Sequence, residues 1–329
     1  MKKALGMLAM ASLVFVGSCK QASTSGEECL NLNAGKHVEV DSVAYDCLLA
    51  VRSMAIVNDT LVIANNNDDV YFETYSLPSL QHIASGGNKG QGPGEFVDPL
   101  VSSMKPYFDG TFIIKESMGF SFDVVSLSTL SKIGQLSPQL PEDWYYVQDA
   151  FYLDKNLLAG ENGYSPHVWA IFDQDGKELT EFPQTVPDDI KALAVDDFSK
   201  LVFDVSWGAA SAKEKVLAIG YRTYPSVEYY DFEGQLVSKL ESPYTVGDKL
   251  ESWLSGLVAS DEYLYINFRN RTPDAKSVNS IVKTDWHGAI KASYLVDRPV
   301  YNFAVDEKNG KIYFNSKQVS DDDYIYLFD

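Results

Sequence analysis

The sequence predicts an all-β fold, a six-bladed β-propeller whose ring is closed by an N-terminal strand that completes the last blade. Three observations lead to this prediction. A strand–turn–strand unit recurs along the chain, equivalent turns lie 44–58 residues apart, and the last unit lacks its final strand. A four-stranded blade needs about 40–50 residues, so each recurring unit has the size of one blade.

The turn between the last two strands of the unit is the clearest repeated element. Three units carry an Asp-x-x-Gly turn, at Asp173–Gly176, Asp231–Gly234 and Asp285–Gly288. The Asp side chain can accept hydrogen bonds from the turn backbone, and Gly allows a positive φ. Two earlier units carry Tyr75–Leu80 and Val125–Leu130 at the same place. Each turn follows a run of β-branched and aromatic residues typical of a strand.

The two ends of the repeat array complement each other. The last unit stops at Tyr324–Asp329, where other units turn into their outermost strand, and a spare strand, His37–Asp41, precedes the first full unit. Pairing them would hide both edges. An array of β-sandwiches is the alternative, but no Pro- or Ser-rich linker divides residues 37–329. Pro183–Asp197 and Ser206–Lys213 look irregular, which predicts insertions between blades three and four and inside blade four.

The first 18 residues are predicted to be a lipoprotein signal peptide. Lys2 and Lys3 precede an apolar run that is too short to span a bilayer. The run ends in Val16–Cys19, which resembles a bacterial lipobox, so Cys19 is the predicted lipid-attachment residue. An ordinary signal peptide with a chance Cys is the alternative. Acyl chains on Cys19 would hold the protein on a membrane almost permanently.

Residues 19–36 are polar and lack apolar periodicity, which predicts a flexible tether. Residue 20 is Lys rather than the Asp that resembles an inner-membrane retention signal. We therefore expect an exported, lipid-anchored protein of the bacterial cell envelope, with the outer membrane as the expected membrane. The sequence leaves open which leaflet carries the anchor.

Two further cysteines, Cys29 and Cys47, follow the lipobox. In an exported chain a pair of thiols predicts a disulfide, which would close a loop of about 18 residues. Two free thiols are the alternative, and the sequence does not decide between them.

The chain is strongly acidic, with a formal net charge of −19. Removal of residues 1–18 takes away Lys2 and Lys3 and no acid, so the mature chain carries −21. An acidic surface repels phosphate backbones, which argues against a nucleic-acid partner.

One glycine-rich segment, Gly86–Pro99, reads Gly-Gly-Asn-Lys-Gly-Gln-Gly-Pro-Gly-Glu-Phe-Val-Asp-Pro. It resembles the blade-linking motif of NHL-like and TolB-like six-bladed propellers, in particular lipoproteins with Gly-x-Gly-Pro-Gly-Glu-Phe after the first blade. The resemblance implies a six-bladed propeller and carries no catalytic residues onto this chain. The other blades lack the motif, which departs from the NHL pattern. A phosphate-binding loop is disfavoured, because the glycine spacing differs and no helix is predicted to follow.

No catalytic motif is evident. The four histidines have no close ligand spacing, and a nucleophile elbow is absent from the sequence. Lactonase-like propellers hold a metal over the channel with Asn, Asp and Glu, and Asn65, Glu116 and Asn315 lie at strand ends where such ligands would project. We assign no metal and no cofactor, although a divalent cation in the channel stays open.

In a propeller, the loops that join second to third strands share one face with the links between blades. This face is the usual ligand face, and basic and aromatic residues there suit an anionic or sugar-like ligand or a protein partner. The candidate ligand-binding residues are Tyr164, His167, Arg222, Tyr224, Arg269 and Arg271. Lys115, Glu116, Tyr221 and Phe268 are expected on the same face. Ordinary loop decoration is the alternative.

The sequence thus favours a non-enzymatic function, a binding or scaffold module for a protein or glycan partner in the envelope. A metal-dependent lactonase-like hydrolase or lyase, with its site at the central channel, is the alternative. Fold alone does not decide between them.

Overall fold

The computed structural model consists of six β-sheets arranged as the blades of a ring. The structure describes residues 27–32, 34–45, 50–65, 69–117, 120–144, 147–162, 168–183, 206–222, 225–241, 245–246, 249–250, 252–271, 277–316 and 324–329. The first strands of neighbouring blades contact each other from blade one to blade six and back to blade one. This closed ring confirms the predicted six-bladed propeller.

Three short strands precede the first blade: β1 (Glu27–Cys29), β2 (Lys36–His37) and β3 (Asp41–Ala44). In each of the first three blades, four antiparallel strands follow one another in chain order from the channel to the rim. Blade one contains β4 (Val51–Val57), β5 (Thr60–Asn65), β6 (Val70–Ser76) and β7 (His82–Asn88). Blade two contains β8 (Pro99–Pro106), β9 (Thr111–Glu116), β10 (Phe122–Ser126) and β11 (Lys132–Leu136). Blade three contains β12 (Val147–Tyr152), β13 (Leu157–Asn162), β14 (Val168–Asp173) and β15 (Glu178–Pro183).

The second half of the ring has the same plan with additions at the rim. Blade four contains β16 (Ser206–Ser211), β17 (Val216–Tyr221), β18 (Ser226–Asp231) and β19 (Leu236–Glu241). A small hairpin, β20 (Thr245–Val246) and β21 (Lys249–Leu250), follows. Blade five contains β22 (Ser252–Ala259), β23 (Tyr263–Arg271), β24 (Ser277–Asp285) and β25 (Ile290–Val296). Blade six contains β26 (Asn302–Asp306), β27 (Lys311–Asn315), β28 (Tyr324–Phe328) and the early strand β3.

Helical structure among these residues is limited to one 3-10 turn at Glu142–Trp144. Over the same residues, no helix has the length and apolar character needed to cross a membrane.

The ring closes through the N-terminus, as predicted. Strand β3 pairs antiparallel with β28 and becomes the outermost strand of blade six. The strand that closes the ring is Asp41–Ala44 rather than the predicted His37–Asp41. The earlier residues Lys36 and His37 instead pair parallel with β25 of blade five. Apolar alternation continues through both segments, so it did not mark which residues would pair.

Residues from Glu27 onward, which the sequence placed in the tether, lie along the ring. Strand β1 pairs parallel with β19 of blade four. Leu30 and Leu32 are buried in the core between blades four and five, and the Ser280 hydroxyl donates to the Leu32 carbonyl. We call residues 27–44 the N-terminal strap, because they run across the rims of blades four, five and six. The proposed domain boundaries and the tether upstream of residue 27 stay predictions.

The Asp-x-x-Gly turns form as the sequence predicts. In blade four, the Asp231 carboxylate accepts from the Gln235 amide at 2.7 Å, and Gly234 has a φ of +87°. The Asp173 and Asp285 carboxylates accept two amide hydrogen bonds each within their own turns. Blades one and two use Leu80 and Leu130 at positive φ instead, and both leucines are buried.

Blade four begins earlier than the sequence indicates. Ser206–Ser211 is β16, the first strand of that blade, so the insertion predicted at 206–213 is wrong. Small residues hide this strand from propensity rules. Gly208 is required there because a Cβ would lie 2.2 Å from the Trp169 ring of blade three. Of the other predicted insertion, Pro183 ends β15 and residues 184–197 lie outside the described residues.

Candidate functional site

The ring has two different faces. The linker face carries the links between blades and the ends of the second strands, and the turn face carries the hairpin turns, including the Asp-x-x-Gly turns. Lys115 and Glu116 end β9, Tyr221 ends β17, and Arg269 lies near the end of β23, all toward the linker face. Tyr164, His167 and Tyr224 lie outside the described residues, as does the side chain of Arg271.

Arg269 lies against two aromatic rings on the linker face. It is opposite Trp253 in the β22–β23 register. Its guanidinium carbon is 5.6 Å from the centroid of the Trp253 ring and 4.3 Å from that of Tyr301. The Arg269 Nε is buried and has no hydrogen-bond partner among the described residues. Contacts of this kind stabilise the cation through the ring quadrupole.

Arg222 lies next to this group. Its carbonyl accepts the Leu254 amide at 3.0 Å, and Leu254 directly follows Trp253. Its side chain is exposed, whereas Trp253, Arg269 and Tyr301 are half-buried. The backbone of Arg222 thus lies beside Leu254, the residue after Trp253, which places two of the residues predicted from sequence on neighbouring parts of the linker face. We call Arg222, Trp253, Arg269 and Tyr301 the arginine–aromatic cluster.

Trp253 and Tyr301 were not predicted as site residues. Each lies at the start of a blade, Trp253 in β22 and Tyr301 directly before β26. The chain enters a blade at the linker face, so the first residues of an inner strand line that face. An aromatic residue one or two positions after a link is the sequence signal that would have identified both.

Other predicted residues of this face belong to the core or to internal contacts. Phe268 and Tyr221 are fully buried, and the Tyr221 hydroxyl donates to Glu228 at 2.7 Å. The Glu116 carboxylate accepts from Ser121 and Gln135. Tyr221 and Phe268 are therefore not available as ligand contacts in this arrangement, whereas the partly exposed Glu116 carboxylate is held by protein partners.

Lys115 is buried at 9 % exposure beside blade three. Burial lowers the pKa of its ammonium group, and the nearby Asp149 carboxylate opposes that shift. Asp149 also lies 3.7 Å from the Lys105 ammonium group. Two lysines around one carboxylate place positive charge between blades two and three.

The residues considered for a metal site have protein partners. The Asn65 Oδ1 accepts the Ala50 amide at 2.8 Å, and the Asn315 Oδ1 accepts the Asn302 amide at 2.9 Å. Both side chains are buried and hold the start of an inner strand against the end of its neighbour. Within the described ranges, His, Cys, Asp and Glu form no group of three that could hold a metal ion.

The glycine-rich segment has a structural explanation. The Gly92 amide donates to the Glu95 carboxylate at 2.8 Å, and Phe96 is buried edge-on against Phe72. Gly94 has a φ of +80°, and its carbonyl accepts the Lys132 amide of blade two. The Glu95 carboxylate thus occupies the concave side of the loop, which supports the blade-linking interpretation over a phosphate site.

The turn face carries a cleft of about 330 Å³ between blades four and five. Charges of both signs line it, and Lys291 forms an ion pair with Asp285 at 2.8 Å across part of it. The Asp285 carboxylate also accepts the two amides of its own turn. Two lysines and three carboxylates line this cleft, so its charges largely offset one another and favour no particular ligand.

Comparison with solved structures shows the fold. A member of the DUF4221 family from Bacteroides vulgatus matches with a TM-score of 0.57 at 13 % identity, over 89 % of this chain and 98 % of that one. A protein named as exported, from Bacteroides fragilis, matches with a TM-score of 0.55 at 10 % identity, over 92 % and 97 % of the two chains. At such identities the similarity concerns the fold alone. No curated protein sequence matches the chain.

The motif in Gly86–Pro99 and the closed ring of six blades both fit one propeller family. The family model described as "TolB-like 6-blade propeller-like" matches residues 43–249, more than half of the chain. The chain therefore belongs to the family of TolB-like six-bladed propellers.

Proposed function

We propose that the chain is a lipid-anchored binding module of the bacterial cell envelope, which recognises an acidic group on a protein or glycan partner. The observation that carries the proposal is the Arg269 guanidinium, which contacts the rings of Trp253 and Tyr301 beside the exposed Arg222. The linker face is the binding face in this proposal.

The geometry suits an anion because the rings hold the guanidinium in place. A guanidinium held by aromatic rings keeps N–H donors at its edge, and their fork geometry matches a carboxylate. The half-buried rings add apolar surface of the kind found at binding hot spots and under sugar rings. In a chain of net charge −19, an acidic partner is repelled by most of the surface, which favours one docking site.

The signal peptide and the lipobox at Cys19 support the envelope location. One structural neighbour is named as an exported protein, which agrees with export of this chain. We propose the outer membrane as the site of anchoring through Cys19.

The test uses residues 20–329, which retain every described residue. Binding of polygalacturonate, poly-L-glutamate and uncharged dextran is measured by calorimetry at low and physiological salt. We expect an acidic polymer to bind, the Arg222→Ala/Arg269→Ala variant to weaken binding at least tenfold, and Arg269→Lys to weaken it as well, because Lys keeps the charge without the planar fork. Arg298→Ala is the matched control, since Arg298 lies 4.3 Å from the Tyr326 ring outside the cluster.

The outcomes separate the partner classes. Preference for polygalacturonate indicates an acidic glycan, and preference for poly-L-glutamate indicates an acidic protein segment. No binding of either polymer, or equal loss in the Arg298 control, would reject the cluster as the site. Metal analysis and a calcium-dependent melting curve of the same protein serve as the check on the hydrolase alternative.

A further inference from the structure

The point where the described chain begins restricts how an anchored propeller can lie on a membrane. Glu27 pairs with Lys239 at the rim of blade four, and β1 runs parallel to β19 from there toward the linker face. Seven residues separate Glu27 from Cys19. Even fully extended, this connection spans at most about 29 Å.

The ring is wide compared with that connection. Strands lie about 4.8 Å apart, so a blade of four strands is about 14 Å wide and the rims of opposite blades are at least about 28 Å apart. Blade one lies across the ring from blade four in the order of blade contacts. The membrane that holds Cys19 can therefore lie close to the rim of blade four, and it lies close to the rims of blades four and one together only if the ring lies flat on it.

The turn face is poorly suited to lie flat on a bilayer. Each of the first five blades exposes acidic side chains there, at Asp59, Asp109, Asp175, Glu214, Glu233, Asp261 and Glu262. Lysines pair with three of them, Asp59, Asp109 and Glu214, so this face carries many charged groups of both signs. Charged groups resist transfer from water, and carboxylates are repelled by the anionic lipids of bacterial membranes. The linker face is equally unsuited, because membrane contact would cover the arginine–aromatic cluster.

The rim of blade four offers a different surface. Strand β1 pairs only with the C-terminal half of β19, from Lys239 to Glu241. The unpaired N-terminal half of β19 contains Leu236 and Val237, whose side chains are 53 % and 38 % exposed. These two apolar side chains lie three and two residues from Lys239, close to where the described chain begins.

We infer that the rim of blade four, with Leu236 and Val237, is the membrane-facing surface, so that the propeller stands on edge. The partner of this surface is the lipid bilayer that holds Cys19. The inference rests on the proposed function, both on the lipid anchor at Cys19 and on the arginine–aromatic cluster as the binding site. It leaves both faces of the ring open to the side, where the arginine–aromatic cluster can reach a ligand.

The experiment uses the acylated full-length lipoprotein in vesicles that contain a rhodamine-labelled lipid. In a Cys29→Ser/Cys47→Ser background, a donor dye is placed at Gln235→Cys in blade four or at Gln81→Cys in blade one. These two exposed glutamines are equivalent, because each carbonyl accepts the first amide of its own turn. Energy transfer to the lipid reports the distance from the membrane.

We expect transfer from position 235 to exceed transfer from position 81 at least threefold. Equal transfer, or stronger transfer from position 81, with the protein still floating with the vesicles, overturns the edge-on orientation and leaves the anchor intact. Failure to float overturns the anchor and this inference together. Cys19→Ser is the control that should abolish flotation.

A second variant tests the apolar contact. Leu236→Ser/Val237→Ser should reduce the difference between the two positions, whereas Ile83→Ser, an exposed residue of the blade one rim, should leave it unchanged. An unchanged difference in the double variant overturns the contact between these side chains and the bilayer.

Discussion

The two halves of the ring differ at their rims. Blades four and five each carry a fifth strand from the N-terminal strap, and blade six takes its outermost strand from it. Blades one to three end in the outer strands β7, β11 and β15, beyond which the described residues add no further strand. One half is thus held together by a segment distant in sequence, and the other by local turns and links. The two halves should respond differently to mutation.

The largest effect is expected from removal of the strap. Deletion of residues 27–44 removes the outer strand of blade six and exposes an unpaired edge, which invites aggregation. We expect little soluble monomer by size-exclusion chromatography, whereas deletion of residues 1–26 should leave a folded monomer. A stable monomer without the strap would show that both halves are held locally.

The next effect concerns the buried leucines of the strap. Leu30→Ala/Leu32→Ala removes two side chains that are 2 % and 1 % exposed. Truncation of a buried Leu costs about 2–5 kcal/mol, so we expect the free energy of unfolding to fall by about 4–10 kcal/mol in a denaturant titration.

The matched control for these leucines lies in the other half of the ring. Ile133→Ala changes an outer strand residue of blade two that is 60 % exposed, and its cost should stay below about 0.5 kcal/mol. Similar losses for both variants would contradict the proposed role of the strap.

Blades one to three, which carry no strand of the N-terminal strap, depend more on their turns. Gly176 has a φ of +78°, and a Cβ there would lie 1.8 Å from the Gln139 carbonyl oxygen in the link between blades two and three. Gly176→Ala should therefore cost more than the about 1–2 kcal/mol of a left-handed conformation alone. Gly310→Ala, at a φ of +67° in open space, isolates that conformational cost. Equal melting temperatures of the Gly176→Ala and Gly310→Ala variants would show that the contact with the link contributes nothing to the cost.

A smaller effect is expected at the Asp285 turn of blade five. Burial raises the pKa of Asp285, but hydrogen bonds from Lys291 and the turn amides more than offset this, so the net pKa is lowered. The stabilisation is present above the ordinary carboxyl pKa and is lost as pH falls through the folded-state pKa. Asp285→Asn should cost about 1 kcal/mol at pH 7, and this cost should shrink as the pH falls below the ordinary carboxyl pKa. A pH-independent cost in thermal melts would reject the charge contribution, and Glu233→Gln in the blade four turn is the control.

The smallest effect is expected from reduction. Cys29 ends β1 on blade four, and Cys47 lies outside the described residues. Tyr45 and Ala50, the described residues on either side of Cys47 in sequence, form hydrogen bonds with Leu80 and Asn65 of blade one. Blade one lies across the ring from blade four, which carries Cys29. We therefore expect two free thiols per chain of residues 20–329 in a denaturing thiol titration, and a melting temperature unchanged by reductant. Absence of titratable thiol would establish the disulfide instead.

Much of the ring could be predicted from sequence because its signals are local. The Asp231–Gly234 turn and its equivalents repeat at blade spacing, and each encodes its own geometry. The burial of Leu30 and Leu32 was not predicted, because two leucines in a polar segment form too short a pattern to indicate a strand. Gly208 made β16 hard to recognise, because glycine has a low strand propensity and is needed there only to make room for the Trp169 ring of blade three.

The candidate site could be predicted only in part. Arg222 and Arg269 were expected at the linker face because second strands are easily located in the sequence and their ends follow from that. Trp253 was missed because its proximity to Arg269 depends on the register of β22 against β23, and Tyr301 because its proximity depends on how blades five and six pack. Tyr221 and Phe268 were misplaced, since position at a strand end does not tell which way a side chain points.

The strap also determines the order of events when the protein folds. Leu32 and Ser280, which share a hydrogen bond, are 248 residues apart. The N-terminal strap must therefore wait for the last blades before all of its strands can pair. Contacts of such separation slow folding and prolong the exposure of unpaired edges. If Cys19 is acylated as proposed, the ring would close on the membrane, because β3 can pair only after β28 has been made.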